Sequence, residues 1–220
     1  MNVLAESERN YYIEKYNIQS FFSFPITAYI QVHQFKRGEF ILKEGTSPNY
    51  LYYLVEGKAK IYITHENGKV SLLNFIEAPA FIGELELLNA EHYTKGIQTS
   101  TEVVCLAIPI HTYKEQMLED VTFLRHLALF LSQKATVLSA KSAQNQAYPL
   151  ENRLASFILL SAEHDIYKEK HTEVCEYLGV SYRHLLHVLA QFCQDHILTK
   201  QHRSYIIRDK ERLKQLAKMN

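Results

Sequence analysis

The period of apolar and polar positions changes twice between the start of the chain and residue 146. Over residues 1–20, Tyr12, Ile13 and Tyr16 are spaced as one face of a short helix, which the stretch Phe21–Pro25 ends. From Ile30 to Ile108 the period shortens to that of strands. Residues 51–55 (LYYLV), 60–64 (KIYIT) and 70–76 (VSLLNFI) are rich in β-branched and aromatic side chains, 103–109 (VVCLAIP) closes the run, and Gly38, Gly45, Gly57, Gly68 and Gly83 punctuate it. Asn67-Gly68 between two of these runs predicts a two-residue hairpin turn. Short strands at this spacing predict a sandwich or jelly-roll barrel. From about His111 to Gln146 the helical period returns. Leu124, Leu127, Leu131 and Leu138 follow at steps of three, four and seven, with Lys134 at the skipped seam position. A helix running on from Val121 would be roughly 37 Å long, and one of that length on a small domain is expected to pair with a second copy of itself.

Tyr148-Pro149 marks a boundary, because the residue before a proline avoids the helical region. A helix over 150–163 follows, and then the most informative stretch, 172–198. Thr172 is placed to cap a first helix with Val174, Cys175 and Leu178 on its inner face. Gly179 supplies the turn and Val180 an apolar wedge. Ser181 caps a second helix whose buried face is Leu185, Leu186, Val188, Leu189 and Phe192, leaving Tyr182, Arg183, His184, His187 and Gln191 outside. This is the layout of a helix-turn-helix, whose second helix enters the DNA major groove; a helical hairpin that only packs a core is the plainer alternative. Residues 197–200 and 204–207 form a β-wing around Gln201-His202-Arg203, and a last helix begins at the cap Asp209. The fold class is α+β: residues 1–120 as a sensor β-roll, 121–147 as a dimerisation helix and 148–220 as a winged helix-turn-helix.

Composition changes this picture little until it is read by position. Apolar residues make up 47%, and 24 Lys+Arg balance 24 Asp+Glu. From Ser181 onward, however, eight Lys and Arg stand against three Asp and Glu, a surplus of five, which suits a phosphate-contacting end as well as a solvated helix. No apolar run of 18 residues and no signal pattern appears, so the expected location is the cytoplasm, with no membrane partner. Cys105, Cys175 and Cys193 are too few and scattered for a disulfide framework. No nucleophile pattern or phosphate loop points to an enzyme. The rival of a cupin-like metal enzyme lacks the paired histidines such sites begin with. Tyr50, Tyr52, Tyr53 and Tyr62 fit a strand core better than a pocket lining. A second rival is a sensing or docking roll that has lost DNA binding.

The segments 35–45 (FKRGEFILKEG), 51–57 (LYYLVEG), 81–88 (FIGELELL) and 177–185 (YLGVSYRHL), in this order and spacing, resemble the cyclic-AMP receptor protein/FNR superfamily of bacterial transcription regulators. The stretch GVSYRHLL further resembles its YeiL-type subgroup. The resemblance spans nearly the whole chain and implies a homodimer that reads an inverted repeat in double-stranded DNA, with RNA polymerase as a further partner in activating members. It implies effector-pocket candidates Gly83, Glu84, Leu85, Tyr93 and Thr94. In nucleotide-binding members the glutamate holds the ribose hydroxyl and an Arg-Ser/Thr-Ala step holds the phosphate. Here that step reads Tyr93-Thr94-Lys95, and a tyrosine offers no charged fork for a phosphate. Cyclic AMP is therefore not the expected effector, Glu84 is expected to cap or brace the barrel, and no cofactor is assigned. An iron–sulfur site needs four gathered cysteines. A Cys175–Cys193 redox pair is conceivable only at short Cα separation. Among His33, His65, His92, His111 and His126 nothing selects a haem ligand. On the reading helix, the family motif puts Tyr182, Arg183 and His187 toward bases, Arg183 being the candidate for a bidentate contact to guanine. Thr172, Ser181, Lys200 and Arg203 are phosphate candidates, and His184 is directed at the DNA backbone or the first helix.

Overall fold

The run 103–109 is buried at every position, and the reason organises the first half of the molecule. In the computed structural model, which describes residues 1–68, 70–89 and 94–218 (Lys141 by its backbone only), the chain divides into two units, Met1–Ala135 and Thr136–Asn220. The first unit runs β1 (Asn2–Val3), α1 (Glu6–Tyr16), two short 3-10 turns, β2 (Gln31–Phe35), β3 (Phe40–Leu42), β4 (Tyr50–Glu56), β5 (Lys58–Thr64), β6 (Val70–Glu77), β7 (Ala80–Ile82), α2 (Glu84–Leu88), β8 (Gly96–Thr99), β9 (Val103–Pro109), α3 (Ile110–Glu119) and the start of α4 (Val121–Ala147). The strands form two antiparallel sheets, in the orders β1-β2-β9-β4-β7 and β3-β8-β5-β6.

Strand β9 lies at the centre of the five-stranded sheet, and both of its faces are covered. Cys105 and Ala107 point with Phe35, Tyr52 and Leu54 into the roll, against Ile41, Ala59, Ile76 and Ile97 of the second sheet. Val104, Leu106 and Ile108 point the other way with Val32, Leu51 and Val55, against Ile18, Phe22, Tyr113, Met117, Phe123 and Leu127 of the helical layer. A strand covered on both sides reads as a continuous apolar run rather than an alternating one. Where β4 turns into β5, Gly57 sits at φ +92° and a Cβ there would lie 2.2 Å from the Glu102 carbonyl oxygen, so only glycine fits.

Two sequence expectations change in this unit. The pairing of β5 with β6 closes at Thr64 and Val70 instead of beside a two-residue turn at Asn67-Gly68, and the Gly68 N–H returns to the His65 carbonyl at 2.8 Å. The register is set by the core, since Ala59 opposes Ile76 and both are interior residues. The leucine seam of α4 is also reassigned. Leu127 is 1% exposed inside the unit's own core, and Leu124 and Leu131 pack half-buried against the same cluster; only Leu138 stands outside, at 42%. Their spacing marks an apolar helix face, and the N-terminal part of that face, at Leu127 above all, is taken up by the core of the same chain. Asp120 separates α3 from α4: its carboxylate accepts the Thr122 N–H at 2.9 Å and the Ser23 N–H at 2.8 Å.

The second unit continues with α5 (Leu150–Ser161), β10 (Ile166–Tyr167), α6 (His171–Leu178), α7 (Tyr182–Gln194), β11 (Leu198–Gln201), β12 (Ser204–Ile207) and α8 (Lys210–Ala217). Strand β10, too short to show a period, adds a third member to the wing, in the order β10-β12-β11.

Candidate DNA interface

Helix α6 ends where Gly179 enters the left-handed region at φ 65°, ψ 42°. Its N–H and that of Val180 return to the Glu176 and Cys175 carbonyls at 3.3 and 2.9 Å, satisfying groups the helix end leaves open. The turn is also held from outside its own segment. Arg153 of α5 donates through Nη1 to the Leu178 carbonyl at 2.6 Å and through Nε to the Tyr148 carbonyl at 3.1 Å. Nothing local in the sequence announces this arginine, because its partner lies 25 residues away.

The chain then extends at Ser181, whose Oγ accepts the His184 N–H at 3.2 Å and opens α7. Leu185, Val188, Leu189 and Phe192 are the buried face of this helix. Tyr182, Arg183, His184, His187 and Gln191 lie outside. Leu186, expected inside, is 39% exposed. It follows Leu185 by one residue, about 100° around the helix, and so joins the surface that carries Tyr182. Arg183 and His187 make no side-chain hydrogen bond or ion pair among the described residues.

Tyr182 reaches from α7 toward rings of two other elements. Its ring centroid lies 6.0 Å from His171 at the start of α6, and His171 lies 6.0 Å from Tyr205 of β12. Burial, and then the charge of Lys200, lowers the His171 pKa and keeps it neutral at pH 7. The wing is one residue tighter than expected: β11 extends to Gln201, which pairs with Ser204, so His202 and Arg203 alone make the tip. Lys200, His202 and Arg203 are exposed. Thr172 is not a cap: α6 begins at His171 after Lys170, and Thr172 is an exposed residue of its first turn. At the far end Asp209 does cap α8, accepting the Arg212 N–H at 2.8 Å. The Cys175 and Cys193 thiols are half-buried, and burial raises both pKa values, which favours the protonated form at neutral pH.

In the first unit, four of the five effector-pocket candidates fall within the described residues. Gly83 precedes α2 at φ 90°, Glu84 opens that helix at 3% exposure, Leu85 is half-buried, and Thr94 is buried with its carbonyl accepting the Gly45 N–H at 2.9 Å. Tyr93 lies outside the described residues. Glu84 Oε1 accepts a hydrogen bond from Lys134 Nζ of α4 at 2.6 Å. The brace expected of Glu84 is therefore present, and its partner is the lysine that interrupts the leucine spacing.

A β-roll followed by a long helix and a winged helix-turn-helix with an open reading face defines a DNA-binding transcription regulator. Residues 32–120 match the model of the cyclic nucleotide-binding domain and residues 152–216 that of the Crp-like helix-turn-helix domain. The chain is 46% identical over 192 residues to the regulatory protein YeiL of Escherichia coli O157:H7, covering 87% of this chain and 88% of that protein, and it belongs to the CRP/FNR family. It is 23% identical to the CRP-like cAMP-activated global transcriptional regulator of Mycobacterium tuberculosis H37Rv, over 88% of this chain and 91% of that one. In fold it is similar to the crystal structure of a putative CRP/FNR-family regulator from Eubacterium rectale, with a TM-score of 0.73, 17% identity, and coverage of 87% of this chain and 91% of that one.

Proposed function

We propose that this chain acts as a homodimer that reads an inverted repeat in double-stranded DNA and does so without cyclic AMP. The observation that carries the reading is the outer face of α7. Arg183 and His187 project from a capped helix with no partner among the described residues, together with exposed Tyr182, and the wing tip exposes the basic Arg203. Arg183 reads a guanine, Tyr182 and His187 make flanking base contacts, and Ser181, Thr172, His184, Lys200 and Arg203 serve the phosphates. The dimer is supported by apolar side chains that α4 leaves in the open, Val121, Leu129, Val137 and Leu138. Two reading helices related by a twofold axis would engage half-sites ~34 Å apart. The protein works in the cytoplasm, and RNA polymerase is its further partner if it activates.

A cyclic nucleotide bound as the family resemblance implies needs Glu84 for its ribose. That carboxylate is buried and already engaged by Lys134, so the residues present do not fit the nucleotide. The test is selection of the purified chain on a random DNA library with no effector added. Enrichment of an inverted repeat supports the reading. Failure to enrich, with and without cyclic AMP, overturns it, and enrichment only with cyclic AMP overturns its effector part.

A further inference from the structure

Two carboxylates are buried among the described residues, and they are satisfied differently. Asp120 accepts backbone N–H groups, as a helix cap does. Glu84 takes a side-chain cation from another helix, fifty residues further along the chain. A carboxylate removed from water needs such a partner, because desolvation opposes its charge. Lys134 comes from the only polar position in the leucine spacing of α4, and it does not act alone. One turn earlier on the same helix, Phe130 stacks edge-on to Phe81 of β7 with centroids 5.5 Å apart. Phe130 packs against both cores of the unit. The Lys134 ammonium also lies 5.8 Å from the Phe130 ring. The stretch running from β7 into α2 is thus held by α4 at two points, an aromatic contact at Phe81 and a charged one at Glu84. The charged point falls at the last turn of the first unit, and beyond it residues Ala135–Ala140 of the helix are exposed.

We propose that the buried Glu84 carboxylate is an ammonium-binding site and that its ligand is Lys134 of the same chain, a tethered cation that clamps α4 to the roll where relatives are gated by a diffusible effector. The inference rests on the reading of this roll as not nucleotide-gated and names what takes the nucleotide's place. It implies that an unattached primary ammonium of the right length substitutes for the lysine once its side chain is cut back. Glu84 then selects for charge, and the remaining hole selects for a short alkyl chain.

The experiment is thermal melting of the full-length protein without DNA, with n-propylammonium as the probe and n-propanol as its neutral match. Lys134→Ala is expected to melt about 5–10 °C below the unmodified chain. Propylammonium is expected to raise that melting point saturably, while propanol does not. The unmodified chain and Lys134→Met, whose sites are filled, are expected to respond to neither. If Lys134→Ala does not fold unaided, the same comparison is scored on refolding yield. Equal recovery by propanol, no recovery by propylammonium, or a melting shift of the unmodified chain by cyclic AMP overturns the proposal. DNA selection on the unmodified chain is run beside it: no enrichment there removes the DNA-reading function and leaves the ammonium site standing, whereas enrichment without amine recovery does the reverse.

Discussion

The head of α2 and the outer face of α7 both carry charge at places where a regulator of this family meets something else, and they treat that charge in opposite ways. On α7, Arg183 and His187 are exposed and make no side-chain hydrogen bond or ion pair among the described residues, so their capacity is directed outward. At α2, Glu84 is 3% exposed and its charge is met by Lys134 from within the chain. An exposed guanidinium costs little to leave waiting, because water solvates it. A buried carboxylate cannot wait and must be matched when the protein folds. The difference teaches where an outside partner is needed. On α7 the charge is left for a partner outside the chain, whereas the Glu84 charge is met within it.

The strongest way to break that contrast is to remove one half of the buried pair. Lys134→Met leaves Glu84 charged and unmatched, and the expected loss is about 3–5 kcal/mol of unfolding free energy. Glu84→Gln leaves a lysine that is 27% exposed and free to turn toward water, so its loss should be smaller, about 1 kcal/mol. The double variant Glu84→Leu/Lys134→Leu should recover most of the stability, since an apolar pair of similar volume avoids the desolvation penalty. Urea denaturation of the three proteins checks the order. A Glu84→Gln loss as large as that of Lys134→Met would mean that solvent does not compensate the lysine.

The interior of the roll offers a second test, through pH. His33 is fully buried, with Nδ1 3.3 Å from the Tyr52 hydroxyl and Nε2 2.8 Å from Gln31 Oε1. Burial pushes its pKa down to about 4. The unfolded chain takes up this proton near pH 6.5, the folded one only near 4. The unfolded state therefore binds more protons in that window, and stability falls as pH drops through it. Each unit of difference is worth about 1.4 kcal/mol, so the full effect approaches about 3 kcal/mol by pH 4. His33→Gln should flatten the stability curve between pH 6.5 and 4 without changing its shape above 7. Unchanged curvature would assign acid sensitivity to other groups.

On the reading surface the effects belong to binding and not to folding. Arg183→Ala should cost about 1–3 kcal/mol on the selected site and relax preference at one base pair, with the melting point unchanged. Arg203→Ala, at the wing tip, should weaken all sequences alike and lower the salt slope by about 1. Fluorescence titrations over a salt series, on the selected site and on scrambled DNA, separate the two. If both variants lose affinity uniformly, Arg183 contacts phosphate and the base reader lies elsewhere on the helix.

The legibility of these features follows the distance over which each is determined. The turn at Gly179, the cap at Ser181 and the cap at Asp209 were readable because a helix end is satisfied by residues one to three positions away. The run 103–109 is readable as a strand, although not as one covered on both faces, since that needs the helical layer. What escaped depends on distant partners: Arg153 holding Leu178, His33 facing Tyr52, and Lys134 reaching Glu84. The leucine spacing of α4 is ambiguous for the same reason, since Leu127 is buried within its own chain while Leu138 stays exposed. A period of three and four says that one face of a helix is apolar, and it is silent on whether the cover is a second copy or the same chain. Leu186 shows the converse error, an apolar residue assigned to the interior although its angle around the helix places it with Tyr182.

The smallest expected effect separates the two demands placed on one residue. Ser181 is both the cap of α7 and a phosphate candidate, and its Oγ is engaged by the His184 N–H at 3.2 Å. Ser181→Ala removes the cap and should cost about 1 kcal/mol of stability. Ser181→Asp keeps an oxygen for the same N–H and favours the positive end of the helix, so stability should be held. If the start of α7 faces phosphate, the added negative charge should nevertheless weaken DNA binding more than the alanine does. A stable Ser181→Asp protein that binds DNA as well as the unmodified chain would turn this end of the helix away from the DNA backbone, and with it the orientation in which Arg183 meets a base.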